Sequence, residues 1–207
     1  MKIKYPRTPH LPWSLGATSD DKMLSDISHF EGQKVVVTEK VDGENTTMGR
    51  DYIHARSLDS KHHVSRSWVK CLHSEIRHLI PNDWRICGEN VYAKHSILYQ
   101  SLPSYFLVFG IYEGKEALSW EDTVEWAGLL NLHTVPVLYQ GIWDEEKVKL
   151  CFTGQSDLDG DQEGYVVRLS ERFNEFGKSV AKFVRKGHVQ CDDHWMEKAV
   201  VPNKLNE

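Results

Sequence analysis

One lysine stands where a strand would deliver a nucleophile into a cleft. Lys40 ends the β-branched run 35–40, and the turn signal Asp42-Gly43 follows it directly. A lysine amine attacks phosphorus only when it is unprotonated. The pKa of Lys40 must therefore fall from a reference value of about 10.4, through burial or nearby positive charge. A surface lysine before a turn shares this short pattern, so other segments must decide between the two interpretations.

A carboxylate inside an apolar run is the second indication of chemistry. Glu89 lies within the strand-like segment 84–93. A carboxylate on a core strand is costly unless it has a partner. A pair of hydroxyl donors from a bound ligand would satisfy it, so Glu89 is a candidate ligand-binding residue.

The elements that must position these residues read as an α+β domain with a largely antiparallel sheet. Strands are predicted at 35–40, 45–49, 52–57, 84–93, 105–112, 135–143, 164–169 and 180–185. A helix is predicted over 62–79, since apolar residues recur there at steps of three and four. A second helix begins at a Ser119 cap and runs to about 130, and a short third one covers 144–151.

Six segments follow one another in an order that resembles the covalent nucleotidyltransferases, the superfamily of ATP-dependent DNA ligases, RNA ligases and mRNA-capping enzymes. They are Lys40-Val41-Asp42-Gly43, Ala55-Arg56-Ser57, Gly88-Glu89-Asn90, Tyr105–Tyr112, Glu163–Arg168 and Val180–Val189. The RNA ligase branch is the most similar, over about residues 4–195. The resemblance implies an ATP-grasp-like ligase domain, with antiparallel sheets and flanking helices around a nucleotide cleft.

The resemblance also implies roles around one nucleotide. Lys40 would form a phosphoramidate with AMP and expel pyrophosphate, and Glu39 would lie near the adenine. Arg56 would contact phosphate or ribose, which suits its planar donors. Glu89 would bind the ribose hydroxyls, and Phe109 would stack on the purine.

The last two segments would hold the metal ion and the α-phosphate. Glu163 would bind Mg²⁺ or Mn²⁺, since hard cations take oxygen ligands, and Lys182 would neutralise the α-phosphate. Many relatives carry a second lysine two residues on, where this chain has Val184. Arg185 would serve in its place if a bulge turns it round; otherwise Lys186 or an earlier basic residue would do so.

A basic stripe on the helix 62–79 is the candidate surface for RNA. Seven basic residues lie in or next to this segment: Lys61, His62, His63, Arg66, Lys70, His73 and Arg77. The four that recur at steps of four, three and four are Arg66, Lys70, His73 and Arg77. Such a stripe is either a solvated face or a grip on RNA phosphates. Arg66, Lys70 and Arg77 are the predicted RNA contacts.

Composition limits the remaining possibilities. A chain of 207 residues suits one domain, so residues 1–207 are expected to form a single nucleotidyltransferase domain without an appended oligonucleotide-binding barrel or C-terminal domain. The net charge of −5 leaves room only for a local basic groove. Four scattered cysteines, no signal peptide and no membrane span predict reduced thiols and a cytoplasmic protein without membrane contact.

The expected function is that of an ATP-dependent RNA ligase. It would adenylylate itself on Lys40, pass AMP to an RNA 5′-phosphate and seal that end to a 3′-hydroxyl. The chain would be either a minimal ligase or one that needs a partner protein to engage RNA. The alternatives are a DNA ligase, a GTP-using capping enzyme, and an adenylate-binding module without catalysis.

Overall fold

The computed structural model describes residues 2–58, 62–188 and 199–206. In chain order the strands are β1 Lys34–Lys40, β2 Glu44–Gly49, β3 Tyr52–Ala55, β4 Trp84–Asn90, β5 Phe106–Glu113, β6 Glu116–Ala117, β7 His133–Thr134, β8 Val137–Ile142, β9 Gln155–Ser156, β10 Gly160–Asp161, β11 Gly164–Leu169 and β12 Val180–Val184. The α-helices are α1 Ser67–Ile76, α2 Trp120–Leu129, α3 Glu145–Leu150 and α4 Phe176–Ser179. Short 3₁₀ turns cover Ser28–Phe30, Val64–Arg66 and Arg77–Leu79.

Two antiparallel sheets form the framework. The first has the order β12-β11-β1-β8, and the second has the order β3-β2-β4-β5-β6, with β7 parallel to β5. Strands β9 and β10 form a separate hairpin. The α+β class with largely antiparallel sheets is therefore confirmed.

Apolar side chains cover both sheets and join them. One cluster packs α1 and α2 against the second sheet, and another packs the N-terminal segment and α3 against the first. A third cluster bridges the sheets, bringing Val36 of β1 together with Leu107 of β5. The two sheets thus meet along a shared core, and β1 places Lys40 at its end.

Gly43 lies in the turn that connects β1 of the first sheet to β2 of the second. A Cβ built on Gly43 would lie 2.6 Å from the carbonyl oxygen of Asn90 and 2.9 Å from Cγ1 of Val91. Real Cβ atoms do not approach other atoms so closely, so only glycine fits without moving the backbone. The Asp42-Gly43 turn can therefore pass directly beneath β4, two residues from Lys40.

The predicted helix 62–79 is wrong in its length. The α-helical part covers only Ser67–Ile76, with 3₁₀ turns on either side of it. By contrast, α2 begins as predicted, because Ser119 Oγ accepts a hydrogen bond of 3.0 Å from the backbone of Asp122. Cys71, Cys87 and Cys151 are free thiols, whereas Lys61 and Cys191 lie outside the described residues.

None of the helices in the described ranges combines the length and the apolar content that crossing a bilayer would require.

Candidate active site

A cavity of about 900 Å³ lies between the two sheets and collects most of the predicted site residues. Its walls come from β1 and the turn after it, from β3 and β4, and from β5, β11 and β12. The predicted residues that line it are Glu39, Lys40, Arg56, Arg66, Glu89, Phe109 and Lys182. Residues separated by more than a hundred positions thus share one space.

Lys40 forms an ion pair at the floor of this cavity. Its Nζ lies 2.6 Å from Oε1 of Glu163, whose side chain is fully buried. Burial acts to lower the pKa of Lys40, but the carboxylates of Glu163, Glu89 and Asp42 outweigh burial and raise it. The prediction that the pKa of Lys40 falls is therefore wrong, because three carboxylates lie close to the amine.

Burial shifts the pKa of two other ionisable groups near Lys40 toward their neutral forms. Burial raises the pKa of Glu89 to about 8, although the positive charge of Lys40 opposes the change. Burial and the nearby charge of Lys40 lower the pKa of Lys182 to about 8. Perturbed groups gathered in one cleft are typical of functional sites.

Asp42 is held by the loop that follows β4. Its Oδ2 accepts hydrogen bonds from the Ser96 backbone (2.8 Å), the Ser96 hydroxyl (2.7 Å) and the Ile97 backbone (2.9 Å). Its own N–H donates to the hydroxyl of Tyr99 at 2.9 Å. Burial would raise the pKa of Asp42, but these bonds and His188 hold it well below its usual value. The turn after Lys40 is thus fixed from two sides.

A third ionisable group, His188, faces both Asp42 and Glu163. Its Nε2 lies 3.0 Å from Glu163 Oε1 and 3.7 Å from Asp42 Oδ1. Burial opposes a charge on the imidazole, but the two carboxylates raise the pKa of His188 to about 9. The three side chains offer ligand atoms within 4.8 Å of one another, which is compact enough for one divalent cation.

Phe109 and Glu39, which both line the cavity, offer an aromatic ring and a carboxylate oxygen without a partner among the described residues. Phe109 is half-buried, and its ring lies 5.1 Å from that of Tyr5 in an edge-on arrangement. Glu39 is 2% exposed, and its Oε1 has no hydrogen-bond partner among the described residues. Burial raises the pKa of Glu39 to about 7. A ligand with a polar donor and a flat apolar face would satisfy both residues.

Arg185 is not brought to the cavity. Strand β12 ends at Val184, and the guanidinium of Arg185 lies 3.4 Å from the carboxylate of Asp161 in the β9–β10 hairpin. No bulge turns this side chain toward Lys182. Arg56 and Lys182, by contrast, both line the cavity.

The basic stripe predicted on one helical face is also wrong. Arg66 is 8% exposed and makes a two-pronged ion pair with Glu44, while His73 is buried and bonds to the carbonyl of Gly49. Arg77 lies beyond the α-helix and pairs with Asp51. Acidic and carbonyl partners remote in sequence contact these side chains.

Lys70 is exposed, and it lies near two other basic side chains, those of Lys2 and His62. A second cavity, of about 140 Å³, has an exposed basic rim made by Lys2, His62 and Lys70. Lys70 Nζ lies 3.0 Å from Nδ1 of His62. Arg66 lines both cavities, so this basic rim adjoins the nucleotide-sized space.

Sequence reasoning missed the groups that surround Asp42. Ser96, Tyr99 and His188 each contact Asp42 or its backbone. Their only signal was position: His188 lies near the end of the segment Val180–Val189, and Ser96 lies six residues after Asn90.

Comparison with solved structures shows the same fold in ligases of Naegleria gruberi. An RNA ligase mutant in its apo form matches with a TM-score of 0.55 and 18% identity, covering 76% of this chain and 51% of its own. The ligase with pyrophosphate matches with a TM-score of 0.53 and 19% identity, covering 89% and 61%. A mutant with ATP and Mn gives 0.55 and 17%, covering 96% and 65%. This chain thus spans between half and two thirds of the length of these ligases.

Sequence comparison gives the family. Among curated protein sequences, none matches this chain. The family model described as RNA ligase, however, matches residues 33–184, which extend from β1 to the end of β12. That range holds the Lys40–Glu163 pair and every wall strand of the cavity. The chain therefore belongs to the RNA ligase family.

Proposed function

We propose that this protein is an ATP-dependent RNA ligase that forms a lysyl–AMP intermediate at Lys40. The observation that carries the proposal is the position of Lys40 Nζ, which lines the large cavity and lies 2.6 Å from Glu163. Lys182, half-buried in the same cavity, supplies a cation for a phosphoryl group. A nucleophilic amine, a buried carboxylate and a cation in one cleft fit nucleotidyl transfer better than simple nucleotide binding.

The cavity offers a complementary group for each part of AMP. Glu39 Oε1, buried and unpartnered, would accept a hydrogen bond from the adenine amine, and Phe109 would pack against the ring. Glu89 would bind the ribose hydroxyls, which replace the water that burial has removed. Arg56 and Lys182 would contact the α-phosphate.

The residues around Lys40 fit a divalent cation. Asp42, Glu163 and His188 place two carboxylate oxygens and one imidazole nitrogen within 4.8 Å. The carboxylate oxygens suit Mg²⁺ or Mn²⁺, and the imidazole would bind such an ion only after losing the proton that the two carboxylates stabilise on it. The Naegleria structures with ATP and Mn support a nucleotide and a metal together in this fold. When bound, the ion supplies positive charge that polarises a phosphoryl oxygen.

The reaction would proceed in three displacements at phosphorus. The ammonium group of Lys40, which Glu163 stabilises, would first lose one proton to water; the neutral amine would then form an N–P bond to the α-phosphorus as the bond from that phosphorus to pyrophosphate breaks. The RNA 5′-phosphate then displaces Lys40 to give a 5′–5′ pyrophosphate. Finally a 3′-hydroxyl attacks the activated end and releases AMP. Lys182 would neutralise the charge at phosphorus in each step.

The RNA would enter along the basic rim formed by Lys2, His62 and Lys70. Among the residues described, no carboxylate lies within 4.0 Å of Lys2 or Lys70, so both charges are available for phosphates. Arg66, by contrast, is buried in its ion pair with Glu44, whereas Arg77 and its partner Asp51 are both exposed.

The proposal also includes the domain organisation of these residues. Residues 1–207 would act as one nucleotidyltransferase domain, either alone or with a partner protein that engages RNA. A cytoplasmic location stays a prediction.

Self-labelling tests the covalent step. The protein is incubated with α-labelled ATP and Mg²⁺ or Mn²⁺, denatured and separated by electrophoresis. We expect acid-labile label on the protein and none on Lys40→Ala. Lys34→Ala is the matched control, because Lys34 is exposed at the other end of the same strand and should label normally. Equal labelling of Lys40→Ala and the parent protein would refute the proposal.

RNA engagement needs a separate measurement. We expect Lys2→Ala and Lys70→Ala to weaken RNA binding and to lower the salt dependence of log K by about one unit each, while self-labelling is retained. Lys115→Ala, an exposed lysine that lines neither cavity, should leave both unchanged. GTP in place of ATP, and DNA ends in place of RNA ends, separate this proposal from capping enzymes and DNA ligases.

A further inference from the structure

The C-terminal segment 199–206 is built into the wall of the active site. Its backbone runs beside the connection between β4 and β5, where Lys94 N–H donates to the carbonyl of Val201 at 2.8 Å. Lys204 N–H donates to the carbonyl of Tyr99 at 3.0 Å. Ala199, Val200 and Val201 also line the large cavity.

Asn203 is the centre of this contact. It is 1% exposed, and its Oδ1 accepts a hydrogen bond from the Tyr99 N–H at 2.9 Å while its Nδ2 donates to the carbonyl of Val91 at 2.8 Å. Its own N–H donates to the carbonyl of Tyr92 at 2.9 Å. One amide therefore ties together both ends of the loop 91–99, and it needs its donor and its acceptor to do so.

The loop that Asn203 closes is the one that holds Asp42. Ser96 and Ile97, in the middle of this loop, donate three hydrogen bonds to the Asp42 carboxylate. Tyr99 contacts Asn203 through its backbone and the Asp42 N–H through its hydroxyl. Asn203 is thus linked to the turn after Lys40 in two ways, through Tyr99 and through the part of the loop that contains Ser96 and Ile97.

We propose that Asn203 is a positioning residue for the nucleophile. By closing the loop 91–99 it sets the place of Asp42, and through Asp42 the place of Lys40, two residues earlier. The inference rests on the proposed function, since it concerns the geometry of Lys40 attack. It assigns the C-terminal segment a part in the first chemical step.

Asn203→Ala should slow the reaction without abolishing nucleotide binding. A displacement of the attacking group by about 1 Å costs roughly 10²-fold in rate, so we expect the single-turnover rate of self-adenylylation to fall between about 10- and 100-fold. The base and ribose contacts lie on other strands, so affinity for α,β-methylene-ATP should change less than about threefold. Unchanged rate, or a parallel loss of analogue affinity, would overturn the proposal.

A double-mutant cycle separates positioning from general destabilisation. Because Tyr99 carries one of the two links between Asn203 and Asp42, the rate loss on Asn203→Ala should be smaller in a Tyr99→Phe background than in the parent protein. Additive losses would overturn the proposal. Thr123→Ala is the matched control: Thr123 is fully buried on α2, and its hydroxyl donates to the carbonyl of Ser119 at 2.8 Å. It should lower stability but not the rate.

Two further measurements keep the test decisive if Asn203→Ala folds poorly or labelling fails. Tyr105→Phe removes only the hydroxyl that donates to the Asn203 carbonyl at 3.2 Å, and it should slow adenylylation about two- to fivefold. Hydrogen exchange should accelerate at the amides of Asp42, Ser96 and Ile97 in either variant, whether or not the protein is a ligase. Unchanged exchange at these amides would refute the positioning role independently of the proposed function.

Discussion

Lys182 should cost the folded protein stability, so replacing it with methionine should stabilise the fold. Methionine keeps most of the aliphatic stem and removes the charge. In the native structure, burial and the charge of Lys40 lower the pKa of Lys182 from 10.5 to about 8. The charged form is therefore less favourable in the folded chain than in the unfolded one.

The size of the effect follows from the shift. Each pKa unit corresponds to about 1.4 kcal/mol, so a shift of roughly 2.5 units gives an upper bound of about 3.4 kcal/mol. The side chain is only half-buried, and solvent screening reduces this figure. We expect Lys182→Met to raise the free energy of unfolding by about 1–2 kcal/mol at pH 7.

The dependence on pH gives the prediction its sign. Below pH 8, Lys182 is protonated in both the folded and the unfolded protein, so the parent bears the full free-energy cost of the buried charge. The stability advantage of Lys182→Met is therefore largest there. Between about pH 8 and 10.5 the unfolded chain binds more protons than the native one, so the parent protein gains stability as the pH rises. The advantage of the variant should therefore shrink through this window.

Urea unfolding followed by tryptophan fluorescence at pH 7 and pH 10 measures the difference directly. Lys34→Met is the control, because Lys34 is exposed on β1 and should show no advantage that depends on pH. A Lys182→Met protein that is less stable than its parent at pH 7, or equally advantaged at pH 10, would show that Lys182 is not strained. The same variant should lose self-adenylylation.

Three other changes test separate parts of the site. Gly43→Ala should cost about 1–3 kcal/mol because its Cβ would meet the Asn90 carbonyl; Gly128→Ala, with open space around it, should be neutral or stabilising in denaturant melts. His188→Gln in metal-free buffer should be destabilising near pH 6.5, and the difference should vanish as pH rises through about 9, where the folded imidazole loses its proton. Glu39→Gln should raise the KM for ATP in self-labelling far more than it lowers the maximal rate; the opposite split would remove Glu39 from the base pocket.

Elements set by local patterns were predictable from the sequence. Strand β11 covers Gly164–Leu169 as predicted, and α2 begins after Ser119, because β-branched runs and a capping side chain act over a few residues. The order of the motifs also predicted which side chains share the cavity. Phe109 of β5, Glu89 of β4 and Arg56, directly after β3, line the same space.

Interactions between distant residues were not predictable in the same way. The spacing of Arg66 and Arg77 along the chain is correct for one helical face, yet each has a carboxylate partner, Glu44 and Asp51, that only the folded sheet brings near. Arg185 is a similar case, since Asp161 of a neighbouring hairpin accounts for its direction. A pattern of charges predicts a face, but ion pairing decides whether that face is free.

The ion pair of Lys40 bears directly on the proposed reaction. Glu163, Glu89 and Asp42 are distant in sequence, and their convergence raises the pKa that the chemistry needs lowered. The same pairing stabilises an amine that would otherwise be buried without a partner. Lys182 has no such ion pair among the described residues and remains the strained cation, so a phosphate is most favourable beside it. A phosphate bound there would stabilise the charge of Lys182. Any cation that binds Glu163 would weaken the ion pair between Glu163 and Lys40, and would so favour the unprotonated, nucleophilic form of the Lys40 amine.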